Sequence, residues 1–307
     1  MNFLRLIRYQ NLLLLAFMQL VFRYGFFKEK AVYYLSDFQY LLLVLSTLLI
    51  AAAGYIINDI MDQETDYDNR PNSVVIGKGI SEAMGYNLYF ALNVIGVGIG
   101  SYLSNVIDKP KFILIFIIIV SLLYLYATSF KKMLLIGNLI VAFLLALSIL
   151  IIGIFDILPL TSFVDESILK DYFSVLLVYA LFAFVINLIR EIVKDMEDVN
   201  GDYNQGMNTL PIVLGVSRTS KVTFGLGVIV TLILLWFINA YLMDDKLYYV
   251  VVYGLIFVVG PMIFFVVKMW NAKSKKHFHL LSSVLKWVIF FGILSILVIN
   301  LNIKNNA

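Results

Sequence analysis

Nine stretches of this sequence, roughly 10–27, 38–57, 83–104, 112–130, 133–155, 172–189, 220–243, 247–268 and 281–302, are apolar over about the length a helix needs to cross a bilayer. In hydrocarbon every backbone N–H and C=O must be satisfied within the structure, so segments of this kind fold as spanning helices. Composition agrees: 62% of the 307 residues are hydrophobic and 14% charged, against about half and a quarter in soluble domains. The expectation is an all-α, polytopic membrane protein of nine transmembrane helices, with residues 1–307 forming a single domain.

The chain has no cysteine, which removes disulfides and thiolate metal sites from consideration. A net charge of +3 is too small to suggest nucleic acid, and no protein partner is implied. Arg5 and Arg8 precede an apolar run that lacks a small-x-small cleavage site, so the run reads as the first span and not as a leader. Lysines and arginines of short loops favour the cytoplasm. With the N-terminus inside, Arg70, Lys78, Lys131, Lys132, Arg190, Lys194, Arg218, Lys273 and Lys275 face inward, while Lys28, Lys30, Lys109, Lys170, Lys246 and Lys304 face outward. Over all such loops the inward excess is two to one. The expected setting is the inner cell membrane, with the C-terminus outside.

Two long loops, about 58–82 and 190–219, fall on the cytoplasmic side, and they resemble each other. The first contains Asn58, Asp59, Asp62 and Asp66; the second contains Lys194, Asp195, Asp198 and Asp202. Both read D-x-x-D-x-x-x-D, and each is followed by a proline (Pro71, Pro211) and a glycine (Gly77, Gly215). The pattern is that of an internal repeat, which in membrane proteins tends to place a site between two halves. The outer segment 156–171, acidic and containing Pro159, reads as an exposed connector.

At about 100° per residue, positions i, i+3 and i+7 fall within roughly 60° on a helix, so each motif makes one acidic stripe. Like charges so close repel, and acids near hydrocarbon are costly. Six facing carboxylates without His or Cys therefore call for a hard cation, and magnesium typically takes one or two carboxylates plus phosphate oxygens. Asp59, Asp62, Asp66, Asp195, Asp198 and Asp202 are the candidate metal ligands. Glu64 and Glu197 fall off the stripes and read as solvated groups or supports behind them. Arg70, Lys78, Lys131, Lys132, Arg190 and Lys194 at the same face suit a phosphate-rich ligand, although the positive-inside bias alone also accounts for cations there. Lys268 to Lys276 read as a topology anchor.

At these residues the chain resembles the UbiA superfamily of intramembrane prenyltransferases, nine-helix bundles with two aspartate-rich motifs and pseudo-repeated halves. The first motif, Asn58 to Asp66, matches throughout. The stretch Arg190 to Asp202, with Gly206 and Thr209-Leu210-Pro211, is similar to the branch that makes digeranylgeranylglyceryl phosphate, adding a second geranylgeranyl chain to a prenylated glycerol phosphate. The family's Tyr-x-x-x-Lys element is one residue longer here, between Tyr126 and Lys131. The turn after Arg70-Pro71 also departs, leaving Lys78 to take over a phosphate contact. Arg8 and Asn11 sit where relatives carry cavity-facing residues.

What the resemblance implies is a Mg2+-dependent enzyme. Asp59, Asp62, Asp195, Asp198 and Arg190 would act at the leaving diphosphate, with Asn11, Asn58, Arg70, Lys78, Tyr126, Lys131, Lys132 and Lys194 holding substrate. The partners implied are a prenyl diphosphate, a lipid-like acceptor and membrane lipids. Two alternatives remain at this level: prenylation of an aromatic acceptor, as in quinone or haem synthesis, and transport of a divalent ion. Against transport, no acid pair lies deep within a span.

Overall fold

A computed structural model describes residues 2–64 and 74–306; Asp66 and Arg70 lie outside the described residues. Among the described residues there is no strand, and helices account for nearly everything. In chain order they are α1 (Asn2–Leu6), α2 (Tyr9–Phe22), α3 (Asp37–Met61), α4 (Glu82–Val106), α5 (Ile113–Thr128), α6 (Ile136–Ile152), α7 (Glu166–Asn204), α8 (Leu210–Leu214), α9 (Val216–Phe237), α10 (Tyr248–Gly254), α11 (Gly260–Trp270) and α12 (Lys275–Asn306).

Eight helical segments among the described residues are long and apolar enough to cross a membrane. They correspond to the second through ninth apolar stretches of the sequence. The first stretch forms α2, 14 residues long, and runs on through a π turn, Arg23–Phe27. The sequence cut the sixth span at 189, whereas α7 runs unbroken to Asn204. The second motif is therefore helical throughout and not a loop, because Arg190 to Asn204 is rich in helix formers with no proline to stop it.

Helix starts follow local chemistry. Ser36 and Gln39 cap α3 reciprocally, and Ser81 and Asp165 accept from backbone N–H groups at the starts of α4 and α7. The close α3–α4 contact depends on small residues, as is usual where lipid offers no hydrophobic drive. A Cβ on Gly96 would stand 2.8 Å from Ile50, and the Ser46 hydroxyl donates to the Gly96 carbonyl at 2.7 Å. Helices α2, α3, α6, α7 and α12 meet around one apolar core that includes Met18, Leu43, Ile149, Leu176, Ile186 and Leu285.

The two ends of the bundle carry separate charge groups. At one end Arg8, Asp59, Asp62, Lys131, Asp198 and Lys275 are paired among themselves. At the other, Lys28 binds Asp37, Lys304 binds Glu29, and a fully buried Arg23 meets Asp156 at 3.2 Å. The connector reading of 156–171 therefore needs correction at its start. Asp156 is buried, and its carboxylate accepts from the backbone N–H groups of Tyr34 and Leu35. An aspartate there serves to hold the backbone just before α3 and to neutralise Arg23, neither of which is visible from local composition.

Candidate active site

A cavity of about 280 Å³ opens between α2, α3, α5, α6, α7 and α12. Its inner part is lined by Leu14, Met18, Ile50, Phe116, Leu144 and Ile293, and its outer part by Arg8, Asn11, Asn58, Tyr126, Arg190 and Lys194. A ligand that fits must join an anionic head to an apolar tail.

The internal repeat shapes this cavity directly. On α3 the lining residues include Thr47, Ala51, Gly54, Tyr55 and Asn58; on α7 they are Ala183, Asn187, Arg190, Glu191 and Lys194. Each α7 position is its α3 counterpart shifted by 136 residues, the same offset that relates Asp59 to Asp195 and Asp62 to Asp198. The two helices thus present equivalent faces, one neutral and one charged. The glycines that follow each motif, Gly77 and Gly215, share a φ of 82°, a left-handed backbone that suits glycine.

Asp59 forms an ion pair with Arg8 at 2.9 Å, and the Arg8 guanidinium lies 5.0 Å over the Tyr55 ring. Helix α3 ends one residue short of Asp62, so the first stripe leaves the helix after Asp59, unlike the second. Asp62 is ion-paired with Lys131 and accepts from the Asn58 amide at 2.8 Å. Across the cavity, Asp195 accepts from Asn138 at 2.8 Å, Asp198 has Lys275 at 3.8 Å, and Asp202 is buried. Tyr126 lines the first cavity from α5. Lys132 borders a second, more polar cavity beside Asp62, Gln63 and Gln205. Lys78 is exposed on a turn closed by Ile76 and Ile80, outside the lining of the first cavity.

The donor set fits a hard divalent cation. It is made of oxygens alone, and the Asn58 Oδ1 is buried with no hydrogen-bond partner. No three acids or histidines among the described residues converge closely enough to cage an ion, which is looser than the six-acid arrangement expected from spacing. A magnesium ion completed by substrate oxygens needs no such cage.

Several site residues escaped the sequence reading. Glu191, between Arg190 at 3.1 Å and Lys194 at 3.0 Å, is buried in the cavity wall. The 136-residue offset from Tyr55 could have found it. Of the two readings of Glu197, a solvated group or a support behind the stripe, its burial favours the support: the side chain is 8% exposed and contacts His279 at 3.0 Å. Lys286 donates to Asn11 at 3.0 Å. It interrupts an apolar run, and a charge inside a span is itself a functional signal. Asn11 therefore lines the cavity and does not cap α2, whose N-cap position is Arg8.

Comparison with known proteins agrees with this geometry. The family model described as the UbiA prenyltransferase family matches residues 30–295. A digeranylgeranylglyceryl phosphate synthase from Saccharolobus solfataricus is 36% identical over 174 residues, which is 57% of this chain and 56% of that protein. The chain thus spans little more than half the length of that curated relative. A structure concerning digeranylgeranylglyceryl phosphate synthase in membranes superposes with a TM-score of 0.62 at 23% identity, covering 97% of this chain and 96% of the other. A UbiA homologue from Archaeoglobus fulgidus bound to GPP and Mg2+ gives 0.58 at 15% identity over 96% and 99%. At these identities the likeness of the two structures is one of fold.

Proposed function

This chain belongs to the UbiA prenyltransferase family, an integral membrane prenyltransferase, and from that premise we propose that it moves a geranylgeranyl group from its diphosphate to a prenylated glycerol phosphate. The single observation that carries this reading is the cavity itself, with cations at its mouth and hydrocarbon-lined depth behind. The named synthases among its relatives support the lipid acceptor.

The donor's tail fits among Leu14, Ile50, Phe116 and Ile293, and the two aspartate motifs just beyond the polar end of the cavity would take its diphosphate. Asp59, Asp62, Asp195 and Asp198, with the unpartnered Asn58 oxygen, would hold magnesium, which when bound supplies charge stabilisation at the leaving diphosphate. Lys131 and Lys194 add fixed positive charge where negative charge builds as the allylic C–O bond breaks. The acceptor hydroxyl oxygen bonds to that carbon, and the departing diphosphate keeps the electron pair of the broken C–O bond and takes up the hydroxyl proton. The apolar wall excludes water from the carbocation-like centre. Asp66 and Asp202 are kept as further ligands of the magnesium ion, and Arg70 and Lys78 as cationic contacts to the diphosphate.

The purified protein, given geranylgeranyl diphosphate and geranylgeranylglyceryl phosphate, is expected to release diphosphate only with magnesium present. Full activity in excess chelator would refute the metal role, and efficient prenylation of 4-hydroxybenzoate with none of the lipid would refute the acceptor. The motifs are placed on the cytoplasmic side of the cell membrane by the charge bias. Since the chain is free of cysteine, cysteines introduced at Lys78 and Lys170 can be labelled with an impermeant reagent in intact cells. Label is expected at position 170 alone; label at position 78 alone would invert the topology.

A further inference from the structure

Helices α7 and α12 run side by side in opposite directions, and the Glu197–His279 and Tyr179–Ser295 contacts set their register. Glu197 meets His279 near the mouth. Seven residues further in along each helix, about 10 Å at the helical rise, come Arg190 and Lys286, which both line the cavity. The two cations therefore stand at the same level of the cavity wall, one on each helix. Among the described residues Glu191 is the only acid in the lining, against Arg8, Arg190, Lys194 and Lys286. Arg8 has Asp59, and Arg190 and Lys194 share Glu191.

Lys286 is different. Among the described residues its hydrogen-bond partner is the neutral amide oxygen of Asn11, and no carboxylate pairs with it. The Arg190 Nε is buried and makes no hydrogen bond. Two cations held together in a largely apolar cavity, one with an unused donor, are stabilised by an anion between them.

We propose that Lys286 and Arg190, braced by Asn11, form a binding subsite for the acceptor's own phosphate, distinct from the place of the donor diphosphate at the aspartate motifs. The inference rests on the lipid-acceptor reading and deepens it. In a glycerol phosphate the phosphate lies only a few bonds from the hydroxyl that attacks. It must therefore bind beside the diphosphate, at the cavity's polar part, and not along the apolar tail. An acceptor without that charge gains nothing from Lys286. The subsite thus makes phosphate a requirement for selection of the acceptor.

The test compares initial rates with geranylgeranylglyceryl phosphate and with the same lipid lacking phosphate, for wild type, Lys286→Met, Lys286→Gln and Lys286→Arg. Lys286→Gln keeps a group able to hydrogen-bond Asn11 and serves if the methionine variant folds poorly. Loss of the charge is expected to raise the KM for the phosphorylated lipid roughly tenfold or more. The donor KM should change by less than about twofold, the KM for the uncharged lipid should stay where it is, and Lys286→Arg should recover most of the loss. Thermal stabilisation by the phosphorylated lipid in chelator should weaken in parallel. An unchanged acceptor KM, or a donor KM that rises equally, overturns the subsite while leaving the lipid reading intact. A wild type that ignores the phosphorylated lipid and prenylates another acceptor overturns both.

Discussion

Asp62→Asn is expected to lower kcat by roughly 10²- to 10³-fold or more, the range seen when one group aimed at developing transition-state charge is removed. The carboxylate sits where the first motif leaves α3, held by the Asn58 amide and the Lys131 ammonium. Asparagine keeps the size and can still accept one of the two hydrogen bonds, and position 62 lies just past the end of α3, so helix content should not change. What it lacks is the charge that a divalent cation needs. Because Asp62 has a cationic partner, its loss leaves Lys131 with less compensation, so the variant is not expected to melt above the wild type. The measurement is turnover at saturating substrate and magnesium, alongside circular dichroism and a melting curve in the same detergent. Near-wild-type kcat with an unaltered metal requirement would make Asp62 a loop acid with no part in the chemistry.

Removal of the buried pair at the far end should act on stability and leave chemistry alone. Arg23→Met is expected to destabilise the protein by about 3–5 kcal/mol, the cost of leaving one member of a buried ion pair without the other. Arg23 is fully buried, donates to the Leu35 carbonyl at 2.6 Å, and lies 3.9 Å over the Tyr33 ring. Asp156 in turn holds the backbone N–H groups of Tyr34 and Leu35, so the pair ties α2, the segment before α3 and the end of α6 together. Fifteen residues of helix separate Arg23 from Arg8 at the site, about 22 Å. Turnover per folded molecule should therefore be unchanged. The double variant Arg23→Met/Asp156→Asn should recover part of the loss, since the uncompensated carboxylate is gone. A single variant with wild-type melting and no loss of folded protein on size exclusion would show that the pair contributes nothing.

The sequence by itself determined the class of fold. Chains with so many long apolar runs have no aqueous core available, and backbone hydrogen bonding in lipid leaves helices as the solution. It also determined the repeated motif and the oxygen-only donor chemistry, because spacing on a helix is a local property. The 136-residue offset that pairs Tyr55 with Glu191 and Asn58 with Lys194 was present in the residue string, yet its meaning as two facing walls needed the cavity. Only the tertiary structure decided which charges meet. Lys286 and Asn11 are 275 residues apart, Arg23 and Asp156 are 133 apart, and Lys131 and Asp62 are 69 apart. Whether a charge is solvated, paired or turned toward a ligand depends on which helices pack together. That is fixed by side-chain interdigitation over the whole bundle, a non-local sum that no window of sequence contains.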